Sequence, residues 1–164
     1  MSALLKYSGL ALIALAAYFL GRSFEEREGS RVRVLDGFVG LLRHIRKGIA
    51  SYLEPIPRAL FSFADGELER IGFLPLLREG ATLYEAYSEV SGRISLGSEA
   101  ERLLSELFKR LGRGTREETV KDAQCAEEEL SRIAESEKAE LEKSVKLTKT
   151  MLYAVALGII ILFL

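Results

Sequence analysis

The sequence predicts an all-α protein: a bundle of about five or six helices between two terminal membrane helices, with a long and continuous last helix. Three observations support this. Both ends of the 164-residue chain, at 7–21 and 150–164, carry no charge and are mostly apolar. All 24 acidic and 22 of the 23 basic residues lie between these ends. In that charged middle, apolar residues recur every three or four positions, which is the period of a helix and not of a strand.

The two uncharged ends predict membrane-spanning helices. A spanning helix needs about 20 apolar residues, and each uncharged stretch has fifteen. Both reach the required length if Lys6 at one end, and Lys146 and Lys149 at the other, extend their charges to the lipid headgroups. The predicted division is therefore a transmembrane helix at 2–21, a helical domain at 22–149 and a transmembrane helix at 150–164, whose membrane part begins near 145.

Each end also has an alternative interpretation. The first stretch has the basic Lys6, the apolar run and the small residues of Ala14-Leu15-Ala16 that are typical of a cleaved signal peptide. The last stretch is alternatively a buried core helix, although the middle of the chain looks too small to surround one. The sequence leaves these alternatives open.

Basic residues near the two ends predict the orientation. Eight of them lie on the side of the middle domain, and only Lys6 lies on the far side. Because basic residues are retained in the cytoplasm, we expect a cytoplasmic middle domain and a protein that passes twice through the cell membrane. Tyr18 and Tyr153 lie near the charged flanks, as interfacial aromatic residues do. The basic residues closest to the two spans are Arg22, Arg27, Lys146 and Lys149.

The first helix of the middle domain is amphipathic. From Ser30 its apolar residues are spaced alternately three and four apart, which gives one stripe along the helix. Pro55 and Pro57 end this helix, because proline lacks a backbone donor and disfavours helix at the residue before it. The residues of the stripe are Leu35, Phe38, Leu42, Ile45, Ile49 and Tyr52.

Several shorter helices are expected next. One covers 57–64 and ends in an Asp65-Gly66 turn, a second covers 67–79 around Pro75, and a third covers 82–93. Two capping boxes then start helices, because a Ser or Thr followed by Glu three residues later satisfies backbone donors. Ser98 with Glu101 begins a helix that Gly112 ends, and Thr115 with Glu118 begins the last helix, of about 50 residues.

Catalytic, cofactor and metal sites are not expected. The chain has one histidine and one cysteine, which is too few for zinc sites built from several of these residues. Cys125 is interpreted as a small packing residue, and His44 as solvated surface. A net charge of −1 disfavours nucleic-acid binding, which needs a basic excess. We therefore expect that the protein is not an enzyme.

Protein–protein contact is the remaining chemistry. Arg43, Arg46 and Lys47 form the densest basic group and are the candidate partner-binding residues. Acidic runs at 25–26 and 127–129 are alternatively their partners within the bundle, and the second run is interpreted as a solvated face. Seven apolar residues are interpreted as mostly core, with an exposed docking patch as the alternative: Leu60, Phe61, Phe63, Phe73, Leu74, Leu76 and Leu77.

The order of the motifs resembles a known family. The motifs are an arginine-rich entry into a helix with Leu41-Leu42 and Ile45, a Pro-x-Pro stretch before Arg58-Ala59-Leu60, the segment at 80–87, and Leu111-Gly112 before a long charged helix. In this order the chain resembles stage III sporulation protein AB over essentially its whole length. Tyr87 replaces a tryptophan of the family pattern, Thr115 replaces a common aspartate, and Gln124 does not fall where the family's glutamine is usual.

The resemblance implies a subunit of the channel between mother cell and forespore in endospore-forming bacteria. The family's middle domain is similar to the cytoplasmic domain of F-type platform proteins of type II secretion and type IV pilus machines. The implied partners are the lipid bilayer, the ATPase and the other subunits of the stage III sporulation channel complex, and a homo-oligomer is compatible with it. The implied location is the mother-cell membrane around the forespore. A membrane-tethered helical scaffold or signalling coiled coil unrelated to sporulation is the alternative, and a small enzyme is a third.

Overall fold

The computed structural model describes residues 2–52, 56–111 and 113–163. Within these ranges the side chains of 2–11, 13, 14, 17, 24, 25, 27, 28, 52, 56, 57, 160, 162 and 163 are not described. The described residues form α-helices and no β-strand, which confirms the all-α prediction. The helices are α1 (Ser2–Tyr52), α2 (Ile56–Ser62), α3 (Gly66–Arg70), α4 (Phe73–Arg78), α5 (Leu83–Ser91), α6 (Ser98–Arg110) and α7 (Arg116–Phe163).

The chain divides into two compact units. The first, here called the terminal unit, consists of Met1–Ser30 and Glu137–Leu164. The second, here called the bundle, consists of Arg31–Ser136. Helices α1 and α7 contribute residues to both units. The continuous last helix is confirmed, because α7 has 48 residues.

The predicted stripe of α1 forms the centre of the bundle core. Leu35, Phe38, Leu42 and Ile45 are completely buried. Phe38 meets three rings from other helices, with centroid distances of 5.1 Å to Phe73 of α4, 5.8 Å to Tyr87 of α5 and 6.1 Å to Phe108 of α6. Aromatic rings at such distances add to the stabilisation that burial provides. The buried face is broader than the predicted stripe, because Val34 and Leu41 are buried too.

Two predictions about the short helices are wrong. The stretch 67–79 forms two helices, because Gly72 has φ of +87° and interrupts the helical backbone between α3 and α4. Pro75 is the third residue of α4, where the backbone donor that it lacks is not needed. Asp65 does not end a helix in a turn: its side chain accepts from the backbone N–H groups of Glu67 and Leu68 and so starts α3.

Two of the helix starts are capping boxes. The predicted box at Thr115 and Glu118 is confirmed by its hydrogen bonds. A second box forms at the start of α5, between Thr82 and Glu85. The predicted box at Ser98 is wrong, because Gly97, with φ of +90°, precedes the helix and Ser98 is already helical. The Glu101 carboxylate instead accepts from the backbone N–H of Leu96 at 3.1 Å.

Arg116 joins the start of α7 to the end of the bundle part of α1. Its guanidinium donates to the carbonyl oxygen of Ile49 at 2.6 and 3.0 Å and to that of Ala50 at 2.9 Å. The last carbonyl groups of a helix have no partner within the helix and carry partial negative charge. Arg116 therefore satisfies two of these groups and complements their charge.

Helical backbone is present at both predicted membrane spans, within α1 and α7. Among the described residues, however, no helix has a stretch both long and apolar enough to cross a bilayer. The spans predicted at 2–21 and 150–164 fall partly on side chains outside the described ones. The two membrane passes remain a prediction.

We expect Phe38→Ala to lower the free energy of unfolding by about 3–5 kcal/mol, because it leaves a cavity where four rings meet. The matched control is Phe61→Ala, whose ring is 56 % exposed, and it should cost less than about 1 kcal/mol. The measurement is denaturant unfolding of the full chain in detergent, followed by circular dichroism. Equal losses in the two variants would contradict the central position of Phe38.

Candidate partner-binding surfaces

The predicted basic group lies on α1, and two of its three members already have a partner in the bundle. Arg43 Nε donates to Glu127 Oε1, and Arg46 Nε donates to Glu127 Oε2, both at 2.8 Å. Lys47 is exposed on the same helix. Of the two interpretations of this group, pairing within the bundle thus applies to Arg43 and Arg46. Binding of a partner by these residues stays a prediction.

Glu127 lies in the buried face of α7 and is only 8 % exposed. The interpretation of 127–129 as a solvated face is therefore wrong for Glu127, although Glu128 is exposed. The sequence does contain a signal for this position. Glu127 follows the buried Ala123 by four residues and precedes the buried Leu130 by three, so helix geometry places all three on one face.

Two opposing effects set the pKa of Glu127. Burial alone would raise it, because a charged carboxylate is poorly solvated inside the bundle. The hydrogen bonds and positive charges of Arg43 and Arg46 outweigh burial and lower the pKa below its ordinary value. Glu127 is therefore ionised at neutral pH and holds α1 against α7.

A second surface is an open groove of about 670 Å³ in the bundle. Its walls come from α2 and α4, from the residues before and within the first turn of α5, and from the end of α6 with the residues after it. Phe61 is 56 % exposed and Tyr84 is 37 % exposed. The lining includes Leu60, Phe61, Leu77, Leu83, Tyr84, Phe108, Lys109, Leu111 and Arg113.

The polar side chains at the edge of this groove are held by contacts with their neighbours. Lys109 Nζ lies 4.9 Å from the centre of the Tyr84 ring, a cation–π distance. Glu85 uses its carboxylate for the capping box, where it accepts from the backbone N–H of Thr82 at 2.9 Å and from its hydroxyl at 2.8 Å. Those hydrogen bonds lower the pKa of Glu85. The groove therefore combines apolar walls with basic side chains, Lys109 and Arg113, on its edge.

The seven apolar residues divide between core and groove. Phe73, Leu74 and Leu77 are buried, and Leu60, Phe63 and Leu76 are partly buried against the core, which confirms their interpretation as mostly core. Phe61 alone among them is exposed. An exposed patch does exist at Phe61, but Tyr84 and α6 complete it, and no sequence pattern connects these elements.

The surroundings of His44 and Cys125 differ from those expected from the sequence. His44 is not simply solvated, because its Nε2 lies 3.0 Å from Ser62 Oγ and its ring centroid lies 5.4 Å from that of Phe63. Cys125 lies on a helix as expected, but its side chain is exposed and does not pack in the core.

Three of the predicted membrane-flanking residues have described side chains in the terminal unit: Arg22, Lys146 and Lys149. Arg22 Nε donates to Glu26 Oε1 at 3.2 Å. Lys146 is exposed, and Lys149 is partly exposed. The side chain of Arg27 lies outside the described residues.

Comparison with known protein families gives a match over nearly the whole chain. The family model for stage III sporulation protein AB matches residues 6–164, which is nearly the whole chain. No curated protein and no solved structure matches significantly.

We expect Glu127→Gln to lower the free energy of unfolding at neutral pH by about 1–3 kcal/mol, because both arginines lose a charged acceptor. The exposed neighbour supplies the control, Glu128→Gln, which should have little effect.

The effect should depend on pH. The pKa of Glu127 is lowered in the folded protein, so its ionised form contributes stability above the unfolded-state pKa of about 4.3. That contribution is lost as the pH falls through the folded-state pKa. The difference between wild type and Glu127→Gln should therefore shrink below about pH 4, as measured by denaturant unfolding at several pH values. A difference that stays constant into acid would contradict the ion pair.

Proposed function

Because the chain belongs to the stage III sporulation protein AB family, we propose that it is a non-catalytic membrane platform subunit of a secretion-like channel complex in endospore formation. In this proposal the bundle lies on the cytoplasmic side of the mother-cell membrane around the forespore and docks a partner ATPase and other channel subunits. The observation that carries the proposal is the family match over 6–164, which includes both apolar ends together with the bundle.

The membrane part of the proposal rests on the sequence. Two uncharged stretches of fifteen residues, with eight basic residues on their inner flanks and one on the outer side, favour two passes with the bundle in the cytoplasm. Among the described residues no helix meets the length and apolarity that a span requires, so topology mapping is a direct test. Labelling of Cys125, which is exposed, only after the inner face is opened would support the proposal, and labelling from outside would contradict it.

For docking of the ATPase, the groove is a better candidate than Arg43 and Arg46. An acidic partner at these arginines would have to displace Glu127 and leave its buried carboxylate without a cation, which is costly. The groove requires no such exchange. Its exposed rings and basic edge fit a surface of the ATPase in which apolar side chains are bordered by carboxylates. Lys47, exposed on α1, remains the candidate from the predicted basic group.

The scaffold alternative is less well supported. A dimeric coiled coil on α7 would need an apolar stripe that faces a second copy. In the bundle the apolar residues of α7, among them Leu130, Ile133 and Ala134, are buried within the same chain. This part of α7 therefore has little apolar surface to offer a partner helix.

We expect a deletion strain to stop in sporulation, with loss of heat-resistant spores and of late gene expression in the forespore, because the channel would lack its platform. The full chain supplied from another locus should restore both. A deletion strain that sporulates normally would contradict the proposed function.

We expect Phe61→Ser combined with Tyr84→Ser to weaken co-purification of the complex's ATPase with the full chain in detergent about tenfold, because the exposed rings of the groove are lost. The rival surface is tested in parallel with Lys47→Glu. Circular dichroism checks that both variants remain helical. An unchanged yield with the groove variant and a loss with Lys47→Glu would place docking on α1 instead.

A further inference from the structure

We propose that a pocket in the terminal unit binds the phosphate of an anionic phospholipid headgroup, an inference that rests on the proposed attachment to the membrane. The pocket has a volume of about 370 Å³. On α1 it is lined by Tyr18, Gly21, Arg22 and Glu26, and on α7 by Lys149 and Tyr153.

Each of the two helices contributes one tyrosine and one basic side chain to the pocket. Tyr18 and Arg22 are four residues apart on α1, and Lys149 and Tyr153 are four residues apart on α7. Residues at this spacing lie on one face of a helix. In each pair the tyrosine lies toward the uncharged stretch and the cation toward the charged part of the chain. The pocket thus has two phenol groups on its apolar side and two cations on its polar side.

Gly21 lies at the contact between the two helices. It is buried, and a Cβ atom on it would lie 3.7 Å from Leu152 Cδ1 and 3.8 Å from Lys149 Cγ. A small residue at a helix contact allows the backbones to approach. Both distances are ordinary van der Waals contacts, so the helices pack closely around this small residue.

The charges of the pocket suit an anion. The described lining of the pocket contains two cations, Arg22 and Lys149, and one carboxylate, that of Glu26. The pair between Arg22 and Glu26 is 3.2 Å long, and its side chains are 64 % and 68 % exposed, so it is a weak surface pair that a phosphate can replace. Guanidinium groups bind phosphate with two parallel hydrogen bonds, and lysine adds a point charge.

The surroundings favour a lipid over inorganic phosphate. Tyr18 and Tyr153 are about half exposed, and the uncharged stretches beyond them expose further apolar side chains, including Leu15, Phe19 and Leu157. Acyl chains would lie along these residues while the phosphate meets the cations. Inorganic phosphate would use the polar side of the pocket alone. Tyrosine is also a preferred residue at the boundary between lipid and water.

The test uses the full chain reconstituted with phosphatidylcholine, alone or mixed with phosphatidylglycerol. Flotation of the vesicles measures attachment, and native mass spectrometry after mild extraction measures which lipid is retained. We expect wild type to retain phosphatidylglycerol over phosphatidylcholine. Arg22→Gln combined with Lys149→Gln should reduce this preference about tenfold, because both phosphate contacts are lost.

A matched variant separates the pocket from net charge. Lys138→Gln combined with Lys143→Gln also removes two charges from α7, but neither residue lines the pocket, and the preference should remain. Equal losses in the two double variants, or equal retention of both lipids by wild type, would overturn the headgroup site while flotation still supports attachment. Displacement of phosphatidylglycerol by inorganic phosphate at millimolar concentration would also overturn it, in favour of a phosphate-ion site. A chain that floats with neither vesicle would contradict the membrane attachment itself.

Discussion

Burial of the apolar face of α1 in the bundle is the constraint on which the other helices depend. Each of α2 to α7 contacts this helix in the bundle. Phe38 alone meets rings from α4, α5 and α6, and α2, α3 and α7 approach through polar side chains. Because they pack against the buried face of α1, short helices such as α3 and α4 are stabilised by tertiary contacts and not by their own length.

The polar contacts of α1 determine where the outer helices sit. Arg33 binds Glu67 of α3, and Arg43 and Arg46 bind Glu127 of α7. Partly exposed ion pairs add modest stability, but a shifted helix would bury a carboxylate with no cation beside it, which costs more. The apolar core therefore provides most of the stability, and the arginines disfavour packings in which Glu127 would lose its cations.

The sequence predicts the structural features that depend on residues close together in the chain. It does not predict those that depend on contacts between distant residues. The stripe of α1, the box at Thr115 and the continuity of α7 follow from local spacing, and all are present. The break at Gly72 and the place of Gly97 before α6 are not predicted, because each depends on a single residue with positive φ. The ion pairs of Glu127 with Arg43 and Arg46 and the groove beside Tyr84 depend on helices far apart in the chain, so no local pattern marks them.

The contact between Arg116 and the end of α1 has a consequence for synthesis of the protein. The two residues that it joins, Ile49 and Arg116, are 67 positions apart, and Arg43 and Glu127 are 84 apart. While the ribosome is still making the middle of the chain, α1 has neither the guanidinium for its last carbonyls nor the carboxylate for its arginines. Contacts of such long range form late. The nascent chain therefore holds α1 without these polar partners until the first part of α7 has been made, and incompletely folded chains of this kind expose apolar surface that a chaperone can protect from aggregation.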